Sequence, residues 1–183
     1  MHDDFIRLRP LIDADLDEEY ATWYRNDDGL LDYFSGSKRM FTAEALASDV
    51  IEGRQSGRWF YYLIETLSGN RIGNLKVGPI DLTHQTSDLV CLIGNRNYIG
   101  KGFGARAISL GNRIAFEVHG IRRLHSGMYA ANLSSIRAYI KAGWFIEATM
   151  KGFYLVDGGP MDRVCVACLN PAFFPYQSLV NAS

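Results

Sequence analysis

A short apolar strand that runs into a glycine-rich turn and then into a helix constrains the fold of this chain most. Leu89–Ile93 is apolar throughout and a helical pattern covers 105–119, with glycines between them at positions 94, 100, 102 and 104. Glycine lets the backbone approach a ligand closely, and the first N–H groups of a helix are unpaired and carry partial positive charge. This order predicts an anion site at the turn, most naturally for a phosphate or pyrophosphate.

Two better-known phosphate loops differ from this turn in their spacing. A Walker loop has four residues between its first glycine and a Gly-Lys pair, and Ser or Thr follows that pair. Here five residues separate Gly94 from Gly100, and Gly102 stands at the position of the hydroxyl. A dinucleotide fingerprint reads G-x-G-x-x-G, whereas this turn reads G-x-G-x-G. Taken alone, the turn is also compatible with a packing role for its glycines.

A second motif, about 30 residues downstream, narrows the interpretation. It reads N-x-x-S-x-x-x-Y-x-K-x-G-W and consists of Asn132, Ser135, Tyr139, Lys141, Gly143 and Trp144. Together with the glycine turn, this motif resembles the GNAT superfamily of acyl-CoA-dependent N-acyltransferases. The match is nearly complete in the second motif and extends more loosely over residues 5–170. In the turn, Ile99 stands where the family often has Gln or Arg.

The resemblance implies acetyl-CoA as the co-substrate, an amine as the acceptor and no metal ion. It implies that the amides around the turn hold the pyrophosphate and that the preceding strand pairs its backbone with the pantetheine arm. In the family a bulge splays this strand from the next one, and a backbone N–H there polarises the thioester carbonyl. The implied cofactor-binding residues are Leu92, Ile93, Gly94, Gly100, Lys101, Gly102, Phe103, Gly104, Ala105, Asn132 and Ser135.

Tyr139 is the predicted general acid of the transfer. A free thiol has a pKa of about 8.5 and a phenol one of about 10, so a positioned phenol stays protonated at neutral pH and can donate to the departing thiolate. The alternative is a core tyrosine, because Ile136 and Ile140 on the same helix also look inward. The register of the family motif favours the catalytic role.

Asp88, at the head of the cofactor strand, is the predicted general base. It stands in register with an acidic residue that is common in similar family members. Glu65, His84 and His125 are alternative bases, and a histidine would be well tuned near pH 7. An exposed aspartate at a strand start, with the proton lost to water, is the other interpretation.

Composition places the chain among globular proteins. Of its 183 residues, 48% are hydrophobic and 21% are charged, and the formal net charge is −1. We therefore expect no nucleic-acid partner.

The first four residues lack the features of a signal peptide, and no apolar run reaches about 18 residues, so we expect no membrane contact. Three cysteines fit a reducing compartment, which predicts a cytoplasmic protein. The C-x-x-C pair Cys165 and Cys168 lies in a strand pattern and predicts packing, not zinc.

The element order predicted from periodicity is β-α-α-β-β-β-α-β-α-β-β. Asp13 is the predicted cap of a helix to about Arg25, Thr42 caps another to about Ile51, and 67–70 predicts a hairpin turn. In the helix after the glycine turn an apolar stripe consists of Ala107, Ile108, Gly111, Ile114, Ala115 and Val118. We predict a single α/β domain over 1–183, with its core at about 5–170. It has a mixed central sheet with helices on both faces and, as the resemblance implies, a splayed cofactor-binding strand pair.

The sequence leaves several primary amines possible as the acceptor. The segments 23–27 and 33–34 resemble the branch that contains ribosomal-protein alanine acetyltransferases. The segments 93–102 and 129–136 look closer to bacterial enzymes that acetylate amino-sugar nucleotides for surface polysaccharides, and we favour this acceptor. Antibiotic and polyamine acceptors stay open, as does a non-catalytic acyl-CoA-binding module. The sequence is compatible with a homodimer.

Overall fold

The computed structural model describes residues 1–25, 29, 31–33 and 42–175. Asn26, Asp27 and Phe34, from the segments used for the acceptor comparison, lie outside these residues. The strands are β1 (Ile6–Pro10), β2 (Phe60–Thr66), β3 (Arg71–Asp81), β4 (Thr86–Ile93), β5 (Arg123–Tyr129), β6 (Phe145–Val156) and β7 (Gly159–Leu169). The α-helices are α1 (Glu18–Thr22), α2 (Ala43–Ser56), α3 (Phe103–Arg113) and α4 (Leu133–Lys141). The predicted element order is confirmed.

The strands form one mixed sheet in the order β1-β2-β3-β4-β5-β7-β6. Neighbouring strands are antiparallel except β4 and β5, which run parallel. These two pair only through Thr86–Asp88 and Arg123–His125, although β4 continues to Ile93 and β5 to Tyr129. The strands therefore separate after Asp88, which confirms the predicted splayed pair.

Helices cover both faces of the sheet, as predicted. On one face, α3 and α4 pack into the larger core, which includes Leu89, Leu124 and Val166. On the other, α1 and α2 form a smaller core with Leu63 and Leu92. We call these the α3 face and the α1 face. Because side chains alternate along a strand, β4 contributes to both cores, and its even-numbered residues from position 88 onward belong to the α1 face.

The first helix begins later than predicted. Asp17, not Asp13, is the N-cap of α1, because its carboxylate accepts a hydrogen bond from the Tyr20 N–H at 3.0 Å. Asp13 begins a short 3-10 turn instead. Thr42 caps α2 as predicted, and that helix continues to Ser56, about one turn further than expected. The two aspartates give the same local signal, and only the chain's path decides which one caps.

The helix after the glycine turn begins at Phe103, because Gly102 has a φ of 86° and ends the turn as the N-cap. The apolar stripe is buried from Ala107 to Ala115. Val118 is 66% exposed, however, so the prediction is wrong at that position. The last turn of the helix, Ile114–Val118, is a π-helix, whose wider winding takes Val118 off the stripe.

A bulge interrupts the sheet beside Asp88. It lies in β3 between Val77 and Ile80, where β3 has one residue more than β4. β4 itself pairs with β3 without interruption from Leu89 to Ile93. The bulge that the family resemblance implies for the cofactor strand is therefore found in the neighbouring strand instead.

Candidate active site

An open cleft of about 520 Å³ lies where β4 and β5 separate. Residues from both strands, from the glycine turn and from α4 line it. The predicted site residues in its lining are Asp88, Leu92, Ile93, Gly100, Gly102, Gly104, Ala105, Asn132, Ser135 and Tyr139. The cleft thus brings residues from both sequence motifs together at one place.

Three predicted cofactor residues do not line the cleft. Gly94 is a packing position, because a Cβ there would lie 2.2 Å from the Trp23 ring. Phe103 packs edge-on against Tyr98, with ring centroids 5.4 Å apart. Lys101 is exposed beside the turn. Gly94 and Phe103 therefore pack beside the turn, and their role in cofactor binding stays a prediction.

The glycine turn leaves open space in front of the first turn of α3. Gly100 and Gly102 have φ values of 74° and 86°, in the left-handed region that disfavours side chains. A Cβ at either residue would meet no other atom within 4 Å, and one at Gly104 would meet only Ile93, at 3.8 Å. The unpaired amides at the start of α3 therefore border a space that fits a phosphate group.

Gly104→Val tests this phosphate site without straining the backbone. Gly104 does not have a positive φ, and a Cβ there meets only Ile93 at 3.8 Å, so valine adds branched bulk beside the turn without backbone strain. We expect the Kd for acetyl-CoA, measured by calorimetric titration, to rise tenfold or more, about 1.4 kcal/mol. Ser109→Val, at an exposed position of the same helix, is the control and should leave the Kd unchanged. An unchanged Kd in folded Gly104→Val would contradict the phosphate site.

Asn132 is the N-cap of α4. Its side-chain oxygen accepts hydrogen bonds from the Ser135 N–H at 3.1 Å and the Ser134 hydroxyl at 3.0 Å. These bonds do not use its side-chain NH₂ group. Because Asn132 and Ser135 also line the cleft, capping is compatible with a contact to the pantetheine arm.

Tyr139 projects from α4 to the point where the strands separate. It is 4% exposed, and its hydroxyl donates a hydrogen bond to the Leu89 carbonyl oxygen at 2.6 Å. Burial, together with the negative charge of Asp88, raises the pKa of Tyr139 well above its usual value near 10. The phenol is therefore protonated at neutral pH and is a fixed proton donor at the wall of the cleft.

A chain of contacts holds the Tyr139 ring in place. Trp144 packs edge-on against it, with ring centroids 4.8 Å apart. The Trp144 Nε1 donates to the Asn112 Oδ1 at 2.9 Å, and the Asn112 Nδ2 donates to the Ala142 carbonyl at 3.0 Å. These bonds join α3 to the end of α4, so both helices fix the position of the phenol.

Asp88 is the last residue of β4 that pairs with β5. Its carboxylate accepts a hydrogen bond from the Leu89 N–H at 2.7 Å. Burial raises the pKa of Asp88 above its usual value, although hydrogen bonding to Ser126 and the charge of His125 favour the ionised form. A raised pKa makes the carboxylate a better proton acceptor at neutral pH.

The alternative bases lie elsewhere. Glu65 on β2 forms ion pairs with Arg7 at 2.7 Å and Arg9 at 2.9 Å. Although burial opposes it, hydrogen bonds from these arginines lower the pKa of Glu65. His84 is exposed in the turn between β3 and β4, and His125 is exposed on β5. Of the four candidate bases, Asp88 alone lines the cleft.

Ser126 is a site residue that the sequence did not reveal. It lines the cleft from β5, and hydrogen bonding to its hydroxyl lowers the pKa of both Asp88 and Tyr139, against the larger opposite effect of their burial. Ser126 thus favours the ionised form of both predicted catalytic groups. No local motif marks it, because its role depends on the pairing of β5 with β4.

Residues 6–144 match the family model for the acetyltransferase (GNAT) domain. The chain belongs to the GNAT family. This GNAT protein is therefore an acetyl-CoA-dependent N-acetyltransferase. No curated protein sequence matches it significantly.

Solved GNAT structures share the fold. The spermidine N-acetyltransferase of Vibrio cholerae, in complex with CoA and spermine, has a TM-score of 0.79 and 16% identity over 92% of this chain and 98% of that one. The ribosomal-protein-S5-alanine acetyltransferase of Vibrio fischeri has a TM-score of 0.79 and 18% identity, over 94% and 97%. At these identities the likeness describes the fold, and the acceptor must be argued from the site.

Two further observations concern the described residues of the GNAT chain. None of their helices is long and apolar enough to cross a membrane. No group of three or more His, Cys, Asp or Glu side chains among them is arranged to hold a metal ion. Cys168 lies in the larger core and Cys165 on the opposite face, as expected for packing residues of one strand.

Proposed function

We propose that this GNAT enzyme transfers the acetyl group directly to a primary amine, with Asp88 as general base and Tyr139 as general acid. One observation carries the assignment: both groups meet at Leu89. The Asp88 carboxylate accepts from the Leu89 N–H, and the Tyr139 hydroxyl donates to the Leu89 carbonyl. The two groups therefore flank Leu89, the first residue of β4 that does not pair with β5.

The two groups reach this point from opposite faces of the sheet. Tyr139 comes from α4 on the α3 face, where the glycine turn and the α4 N-terminus also lie. Asp88 belongs to the α1 face by strand alternation. We therefore place the acetyl-CoA phosphates and pantetheine on the α3 face and the amine acceptor on the α1 face. The reacting atoms meet in the gap between the strands.

In this arrangement each proton has a defined path. The neutral amine nitrogen forms a bond to the acetyl carbon, and the carbon–sulfur bond breaks. Asp88 takes the proton that the amine loses, and Tyr139 gives a proton to the departing sulfur. Backbone N–H groups of the open segment after Leu89 polarise the carbonyl oxygen, a contribution typically worth about 2.7–4 kcal/mol.

Direct transfer is favoured because the cysteine in the cleft is a poor nucleophile. Cys91 lines the cleft on β4, and burial raises the pKa of its thiol to about 12. The thiolate is the reactive form of cysteine, and almost none is present at neutral pH with such a pKa. An acetylated Cys91 is therefore not part of the proposed route.

For the acceptor we propose an amino-sugar nucleotide, with an N-terminal alanine as the second candidate. Tyr33 and Tyr154 line the cleft and offer aromatic faces on which a sugar or base can stack. A polyamine is less favoured, since one described carboxylate of the α1 face that could bind an ammonium group is already paired. Asp49, on the α1 face, already binds the Lys76 ammonium at 3.1 Å and the Tyr61 hydroxyl. The alanine candidate rests on the resemblance of segments 23–27 and 33–34 to the ribosomal-protein alanine acetyltransferase branch, and the Vibrio fischeri enzyme shares the fold.

The test is release of CoA thiol from acetyl-CoA with a panel of amines, beside binding of acetyl-CoA alone. The panel contains a UDP-linked amino sugar, a peptide with N-terminal alanine, and spermidine. We expect turnover that depends on an added amine and yields its N-acetyl derivative by mass spectrometry. Tight acetyl-CoA binding with no amine-dependent turnover across the panel would contradict the proposed function.

A further inference from the structure

Arg163, on β7, is a cation that the proposed reaction does not use. Its Nε is fully buried and has no hydrogen-bond partner within the described parts of the chain. The guanidinium lies over the Phe153 ring, with Cζ 5.0 Å from the ring centroid. A guanidinium presents five donors in a fixed planar fork, and burying such donors unpaired costs free energy. The side chain is therefore held in place at a cost in free energy, because its Nε–H has no acceptor among the described residues.

Gly127 makes the position of Arg163 possible. A Cβ on Gly127 would lie 2.0 Å from Arg163 Nε and 2.5 Å from Cζ, so the guanidinium lies directly on the β5 backbone. Any other residue at position 127 would push the arginine away. Arg163 is not itself among the residues that line the active-site cleft, but Gly127, on which it lies, does line it, as do Tyr129 and Tyr154.

Arg163 and the proposed acceptor share one face of the sheet. On β7, Val164 and Val166 belong to the core of the α3 face, so Arg163 points to the α1 face. Its charge reaches the catalytic region, since it is among the groups that favour ionised Asp88. The proposed acetyl-CoA phosphates have separate cations near them, Arg137 and Lys141 of α4, which line the cleft from the opposite face.

We propose that Arg163 binds an anionic oxygen group, a carboxylate or a phosphate, on the amine acceptor. This inference rests on the proposed function and narrows its substrate class to amines that carry a negative charge. The planar guanidinium matches both groups in a bidentate geometry, and the stack on Phe153 limits its rotation. A cationic polyamine would instead be repelled.

The experiment compares pairs of amines that differ only in the anion. Glucosamine 6-phosphate and glucosamine test a phosphate, and alanylglycine and alanylglycinamide test a carboxylate; kcat/KM is measured by thiol release at one ionic strength. We expect the anionic member of at least one pair to be preferred tenfold or more. Arg163→Gln should remove this preference, Arg163→Lys should retain part of it, and the KM for acetyl-CoA should not change.

Two matched variants separate binding from a general loss of charge or structure. Arg122→Gln removes another arginine that stacks on an aromatic ring, Phe174, but Arg122 is not the arginine that lies on the cleft residue Gly127, and this variant should keep the preference. Gly127→Ala keeps the charge of Arg163 but displaces its guanidinium. It should reduce the preference as Arg163→Gln does.

The outcomes distinguish this proposal from the proposed function. Turnover of both members of each pair with no preference for the anion overturns the role of Arg163 and leaves the transfer reaction intact. Equal losses for both members in Arg163→Gln, with a shifted pH–rate profile, would assign Arg163 to tuning Asp88 and also overturn the proposal. Anion-selective binding in the presence of CoA, seen by calorimetry without turnover, supports Arg163 and contradicts the reaction. If no amine, anionic or neutral, is bound or turned over, both proposals are overturned.

Discussion

Tyr139→Phe is expected to lower kcat by roughly 10²–10⁴, the usual contribution of general acid–base catalysis, with little change in the Kd for acetyl-CoA. The substitution keeps the ring that packs on Trp144 and removes only the hydroxyl. The Leu89 carbonyl loses its 2.6 Å partner, so the protein should also lose stability, by about 1–3 kcal/mol if water cannot replace the bond. Steady-state kinetics and calorimetric titration measure both effects.

Tyr62→Phe is the matched control for Tyr139→Phe. The Tyr62 hydroxyl also forms a hydrogen bond in a buried setting, to His119 Nε2 at 2.7 Å, but Tyr62 does not line the cleft. This variant should lose stability to a similar degree and keep its kcat. If both variants lose activity equally, the effect of Tyr139 is structural. A kcat near that of the wild type in folded Tyr139→Phe would remove the phenol from the chemistry.

Asp88→Asn is expected to lower activity by about 10² at pH 7 and to recover part of it at higher pH. Asparagine is nearly isosteric and can still accept the hydrogen bond of the Leu89 N–H, but it cannot accept a proton. At higher pH more of the amine is neutral in solution, and the need for a base falls. A loss that is equal at every pH would point to an orienting role. No loss at all would assign the proton to solvent.

Asp88→Asn, which should lower activity, should raise the stability of the fold at neutral pH. Because burial raises the pKa of Asp88 in the folded protein, protonated Asp88 stabilises the fold below the unfolded value of 3.8, and this contribution is lost as pH rises through the folded pKa. At pH 7 the buried carboxylate therefore destabilises the fold, and Asp88→Asn should melt at a higher temperature than the wild type. This gain should disappear near pH 3.

Asp81→Asn supplies the contrast on the same hairpin. Hydrogen bonding from the His84 and Thr83 N–H groups outweighs the other effects and lowers the pKa of Asp81, so its stabilisation is present at neutral pH and is lost as pH falls. Asp81→Asn should therefore not melt higher than the wild type at pH 7, and it should keep full activity. A melting temperature of Asp88→Asn below that of the wild type at pH 7 would contradict the buried-carboxylate account.

The sequence predicted the features that depend on local order. The glycine turn, the helix after it and the α4 motif are each contiguous, and the periodicity of the strands and helices predicted their order along the chain. The position of Tyr139 beside the cofactor strand followed from the family register of that motif. The splayed strand pair was also implied by the resemblance.

The features that the sequence did not reveal depend on contacts between distant segments. Nothing in the local sequence shows that Trp23 packs on Gly94. The contact of Arg163 with Gly127 requires the register of β7 against β5. Ser126 becomes a site residue for the same reason. Strand register is set by the whole sheet, so a single sequence cannot specify which side chains meet across it.

Direct transfer in the cleft between β4 and β5 is tested most directly by initial-velocity kinetics combined with intact-protein mass spectrometry. Acetyl-CoA and the amine are varied together, and the protein is also incubated with acetyl-CoA alone. Because Cys91 stays a protonated thiol, it should not be acetylated, and we predict an unmodified protein mass. We also predict intersecting lines in the double-reciprocal plot, which indicate a ternary complex. Parallel lines, with one acetyl group on Cys91 that is lost when the amine is added, would contradict the account.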